Sequence, residues 1–199
     1  MQMAKIINKG TGAGGAKTTK NGIEFEEKTS IEHTLSSNNF IKIVVNKRKK
    51  DSYYFENNDS HKKIIYMKQN GLKYYFKQNF DIDIYKKPDE AFLVCSGNKY
   101  HLKILEKKNQ NVGGSVEDKL KTGLFSKKEY EKMLNKKKLL YTFEVSYAFC
   151  ISKFLQNKFE STEIKYLNMK NIMMEDGIEL FYGDNEDYYN KVYEWINKI

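Results

Sequence analysis

Two apolar runs, residues 91–95 and 100–105, flank the tetrapeptide Ser96-Gly97-Asn98-Lys99, and this pattern constrains the chain more than any other. Short apolar runs rich in β-branched and aromatic residues, bounded by turn formers, read as strands, and a brief Gly/Asn connection makes them an antiparallel hairpin. Such a hairpin is expected to belong to one central sheet.

The flanking sequence supplies the covering elements. A helix is expected from Asn21, capped by that residue with Glu24 three positions on, and carrying Ile23, Glu27, Ile31 and Leu35 along one stripe as far as residues 36–39. Residues 40–45, 53–55, 64–67 and 72–76 read as strands, the last two joined through Asn70-Gly71, since both positions accept positive φ. Beyond Gly113-Gly114 the pattern turns helical, with Ser115 as a cap and a capping box at Ser126/Glu129 ahead of a helix over 130–138. A strand over 139–151, helices from 154 and over 164–174, a strand over 178–182 and a helix over 186–196 complete the order. The expectation is an α/β domain with a central mixed β-sheet flanked by helices, spanning 21–199, after a glycine-rich arm over 1–20.

At 199 residues with 40% hydrophobic composition, one domain with its own core is expected. A net charge of +9 favours a polyanionic partner through counterion release, although nearly all of it is lysine, Arg48 being the sole arginine. Cys95 and Cys150 lie in apolar runs and read as buried thiols, not a disulfide. With no signal-like apolar stretch over residues 1–9 and no run of about 18 apolar residues, the expectation is a soluble, intracellular, cytoplasmic protein without membrane partners.

The chemistry concentrates on the hairpin. Metal-assisted phosphodiester hydrolysis needs carboxylates to hold a cation against phosphate and a group to position the attacking water. Asp89 follows Pro88 at the entry to one strand and Glu106-Lys107-Lys108 closes the next, so pairing brings the carboxylates together across 17 positions. The period of two puts Ile104, Glu106, Lys108 and Gln110 on one face. Hard oxygen ligands suit magnesium or manganese. Glu-x-Lys also occurs at Glu26/Lys28, Glu117/Lys119 and Glu163/Lys165, in predicted helices or helix starts, so spacing alone leaves a nuclease site and a solvated strand end both open.

The stretch PDEAFLVCSGNKYHLKILEKKNQ resembles the core of the PD-(D/E)XK nuclease superfamily, and its continuation NVGGSVEDKLKTG is similar to a segment of type II restriction endonucleases. GAGGAKTTKNGIEFE and IELFYGDNEDYYNKVYEWI are similar to the lead-in with first helix and to the closing strand and helix of such enzymes. The resemblance implies a restriction-endonuclease-like fold and site-specific, magnesium-dependent cleavage of double-stranded DNA, with Mn2+ as a substitute cofactor. By it Asp89 and Glu106 bind the metal, Lys108 orients water or offsets transition-state charge, and a glutamate of the first helix joins them. The family pattern favours Glu26 for that role, while helical periodicity places Glu27 nearer the apolar stripe. Cleavage of a two-fold symmetric site implies a homodimer.

Other candidates are weaker. Gln110 shares the face of Glu106 and either contacts DNA or is merely solvated. GTGAGGAKTTK lacks the Gly-Lys-Ser/Thr of a P-loop, and is either a DNA-contacting arm, with Lys17, Thr18, Thr19 and Lys20 near phosphates, or a plain loop. His33, His61 and His101 show no metal-ligand spacing and are expected on a helix face, in a loop and on a strand surface. Tyr74-Tyr75-Phe76 reads as sheet packing. Two alternatives remain: a structure-selective or repair nuclease of the same superfamily, and a non-catalytic basic nucleic-acid-binding protein.

Overall fold

The computed structural model describes residues 16–59, 62–110, 116–135 and 141–198. Seven strands form one sheet in sequence order: β1 (Ile41–Val44), β2 (Tyr53–Asp59), β3 (Lys62–Met67), β4 (Glu90–Ser96), β5 (Lys99–Lys108), β6 (Thr142–Ile151) and β7 (Ile178–Tyr182). The first five pair antiparallel, whereas β6 and β7 join in parallel, as expected where helices intervene. The mixed sheet flanked by helices is therefore as expected.

The period of two sorts the hairpin. Ala91, Leu93, Leu102 and Ile104 enter one core, while Phe92, Val94 and Leu105 enter the other. The first core is closed by α3 (Gln69–Phe80), α4 (Val116–Lys121), α5 (Gly123–Leu134), α6 (Lys153–Phe159) and α7 (Ile164–Glu175). The second is closed by α1 (Ala16–Lys28), α2 (Glu32–Leu35) and α8 (Tyr188–Asn197). Both cysteines are free thiols, Cys150 buried and Cys95 half-buried, and burial pushes them up, to about 12 and about 11. Among the described residues, no helix is long and apolar enough to cross a membrane.

Four expectations need correction. The first helix is already formed at Ala16, so residues 16–20 belong to α1 and not to an arm, and Asn21 lies inside the helix. Nor does that helix run on to 36–39. The backbone N–H of Ile31 donates to Glu90 Oε1 at 3.0 Å, as does the Ser30 hydroxyl, which takes the Ile31 donor out of a continuous ladder and divides α1 from α2 and a 3-10 turn, Ser36–Asn38. Ile23 is accordingly exposed while Ile31 and Leu35 are fully buried.

The supposed strand over 72–76 is the body of α3, and Asn70-Gly71 is its first turn. Leu72, Tyr75, Phe76 and Phe80 follow a helical stripe, and all are buried. Gly71 is needed for close approach, not for a hairpin: a Cβ there would lie 2.1 Å from the Tyr53 carbonyl oxygen. The hairpin expected over residues 96–99 is formed, with Gly97 in its turn at a φ of +57°. Likewise Ser126 is not a cap. It lies within α5, where its N–H donates to Thr122 O at 2.9 Å and its side chain is buried. Ser115, His61 and residues 136–140 fall outside the described residues.

The second core holds an unusual cation. Lys103 is 2% exposed and donates to the carbonyls of Trp195 and Lys198, each at 2.7 Å, at the negative end of α8. Burial lowers its ammonium from 10.5 to about 8. Between these values the unfolded chain keeps a proton that the folded chain has released, so the contribution of Lys103 to stability rises with pH across that window. The stability of the wild type relative to Lys103→Met is therefore expected to increase from pH 7 to pH 10 in urea titrations, and a flat difference would refute it.

Candidate active site

The hairpin register sets the geometry. Glu90 pairs with Leu105, which places Asp89, just before β4, beside Glu106 near the end of β5. The Lys107 backbone N–H donates to Asp89 Oδ2 at 2.7 Å and holds that carboxylate at the strand end. Lys108 Nζ donates to Glu106 Oε2 at 2.7 Å and stands 4.0 Å from Asp89 Oδ2. The three side chains are 18–20% exposed, so each is reachable from outside while most of its surface is withdrawn from water. The structure thus brings Asp89, Glu106 and Lys108 together.

Glu26 of α1 joins this group. Its carboxyl is raised by partial burial first and then by the charge of Asp89, with Lys107, Lys108 and Lys68 acting in the opposite sense. Glu27 is turned elsewhere, lining a cleft with Ser30, Glu32, His33, Lys42 and Lys68. Between the two glutamates it is Glu26 whose charge meets the cluster. Burial also raises Glu106, with Lys108 countering and Asp89 reinforcing the shift.

Of the remaining expected contacts, Gln110 and Lys20 are described with other partners. Gln110 is 6% exposed and is not a solvated strand end: its N–H donates to Ser152 Oγ at 3.2 Å, and that hydroxyl donates back to Gln110 O at 3.0 Å. This exchange continues the parallel pairing past the last rung of β5 and draws the residue inward. Lys20 is exposed on α1, 3.7 Å from Glu24. Lys17, Thr18 and Thr19 give backbone to the first turns of α1, and their side chains lie outside the described ones. His33 is exposed on α2 as expected, whereas His101 is half-buried, 2.7 Å from Ser146 Oγ, with its pKa lowered by burial.

Several participants escaped the sequence. Lys107 points to the opposite face from Lys108 and pairs with Glu90 at 3.2 Å, the two side chains being 1% and 0% exposed. Its Nζ also donates to the Glu26 carbonyl at 3.0 Å, which anchors the helix that carries Glu26. Strand parity predicts that Lys107 faces away from Lys108, but not which partner it meets. On the other side, Lys86 is held by an ion pair with Glu129 and by Ser126 Oγ at 3.2 Å, within electrostatic reach of Glu106. Lys68, bound to Ser30 Oγ and Glu32 at 3.0 Å each, flanks Glu26. These lysines come from segments with no motif, and only tertiary packing identifies them.

Among the described residues, no three His, Cys, Asp or Glu side chains converge closely enough to enclose a metal ion. Two carboxylates are nevertheless sufficient for magnesium, which keeps several waters and is held by one or two carboxylates together with substrate phosphate. The donor set is hard oxygen throughout, and the Asp89 charge adds to the upward shifts that burial sets in Glu26 and Glu106, a repulsion that a divalent cation would relieve. These residues fit magnesium or manganese. No protein-family model matches the chain, and no curated protein or solved structure shows significant similarity to it. Fold and site together define an α/β domain whose mixed sheet carries a carboxylate–lysine cluster at one strand end.

Proposed function

We propose that this chain is a magnesium-dependent endonuclease of restriction-endonuclease-like fold, a PD-(D/E)XK enzyme that hydrolyses phosphodiester bonds of double-stranded DNA at specific sites, as a homodimer. The observation that carries the reading is the meeting of Asp89 and Glu106 across the β4–β5 register, with the Lys108 amine between them. The resemblance of residues 88–110 to the nuclease core supports it.

A bound Mg2+, or Mn2+ in its place, supplies a Lewis acid for the phosphate and lowers the pKa of coordinated water. Asp89 and Glu106 hold it. Lys108, 2.7 Å from Glu106, would orient the attacking water and offset charge on the pentacovalent phosphate. Glu26 adds a further carboxylate from α1, and Lys86 and Lys68 flank the cluster with positive charge that favours a polyanion.

The test is incubation of wild type and Asp89→Ala with mixed-sequence phage DNA in magnesium or in chelator, resolved on a gel. Discrete fragments that require both magnesium and Asp89 are expected. A smear would replace site specificity by a repair-type activity. Binding that persists in chelator with no scission would leave a nucleic-acid-binding protein and overturn the enzyme.

A further inference from the structure

Tyr130 of α5 is fully buried, yet among the described residues no atom hydrogen-bonds its hydroxyl. A buried hydroxyl without a partner forfeits its hydration with nothing in return, and phenylalanine would fill the same volume without that cost. A tyrosine retained in such a place calls for a partner that the resting arrangement does not supply.

Its surroundings say where the partner is. Tyr130 belongs to the core on the sheet face from which Ile104, Glu106 and Lys108 project, and its ring lies 6.0 Å from Lys86 Nζ, three residues upstream of Asp89. Tyr147 of β6 enters the same core beside Ser126, whose hydroxyl accepts from Lys86 at 3.2 Å. Among the described residues, the Tyr130 hydroxyl of that core is left without a bond. Among the charged groups acting on it, Glu106 is foremost, ahead of Asp89 and Glu129.

In the resting arrangement Glu106 is held by Lys108 at 2.7 Å. A carboxylate that turns to a cation gives up this bond and needs another donor to fix its orientation, because ligating carboxylates are themselves hydrogen-bonded from behind. We propose that Tyr130 is a positioning residue for Glu106, its hydroxyl donating to the carboxylate when a divalent cation is bound. This rests on the nuclease reading of the site.

The experiment measures binding of Mn2+ alone, by the paramagnetic resonance of the free ion, to wild type, Tyr130→Phe and Asp89→Ala, beside metal-free thermal melts. Tyr130→Phe is expected to bind Mn2+ roughly 10-fold more weakly, the lower end for loss of an outer partner, and to melt at the wild-type temperature or above. Equal Mn2+ affinity in Tyr130→Phe, with binding lost in Asp89→Ala, overturns the positioning role and leaves the metal site standing. A metal-free melting temperature lowered by several degrees overturns the role too, since it gives the hydroxyl a structural partner. No Mn2+ binding by wild type, or binding indifferent to Asp89→Ala, overturns the metal site itself and the inference with it.

Discussion

Lys107→Met is expected to lose about 3–5 kcal/mol of stability, the cost of leaving one member of a buried ion pair without its partner. Lys107 and Glu90 are 1% and 0% exposed and 3.2 Å apart, so solvent cannot take over the charge left behind. Glu90 is also the acceptor for Ser30 Oγ, the Ile31 N–H and Tyr66 OH, the last at 2.7 Å, and the pair therefore ties the α1–α2 junction to three adjacent strands. At roughly 2–4 °C per kcal/mol for a chain of this size, the melting temperature should fall by roughly 6–20 °C. Glu90→Gln in the Lys107→Met background should recover part of the loss, because the stranded charge is then gone. A single mutant within about 1 kcal/mol of wild type in denaturant titrations, the worth of an exposed pair, would show that the pair is solvated.

One residue further along the strand the expected result reverses. Lys108→Met should cost less stability than Lys107→Met, since its contacts with Glu106 and Asp89 are one-fifth exposed where the Lys107–Glu90 pair is sealed. Cleavage should nevertheless slow by about 10²–10³-fold, as when a single group that stabilises transition-state charge is deleted. DNA binding in calcium, measured separately, should stay within a few-fold, so that the loss falls on kcat. Cleavage unchanged by Lys108→Met would remove the lysine from the chemistry.

These paired outcomes also show how far the residues alone lead. The convergence of Asp89, Glu106 and Lys108 is legible because it needs only one hairpin and the two-residue period, both local. The strand over 178–182 and the helix beginning at Ile164 are legible for the same reason, each being bounded by its own signals. Asn70-Gly71 misleads because the glycine serves contact with Tyr53 and not a left-handed turn, and the helical stripe of Leu72, Phe76 and Phe80 is hidden within a run that also suits a strand. Ser126 misleads because a capping pattern carries no information about the Lys86 amine that claims it. The partners of Lys107, the break between α1 and α2, and the setting of Tyr130 all depend on groups brought from distant parts of the chain, which no periodicity encodes.

Consecutive lysines of β5 serve opposite faces, Lys107 the interior and Lys108 the cluster, under a single pairing with β4. A slip of one position would turn Lys108 toward Glu90 and Lys107 out to the carboxylates, but it would also exchange Ile104 and Leu105 between the two cores and break the acceptor set around Glu90. A chain in the wrong register is consequently denied both stability and chemistry in one stroke. The single β4–β5 pairing thus fixes the buried Lys107–Glu90 pair and the Asp89–Glu106–Lys108 cluster together.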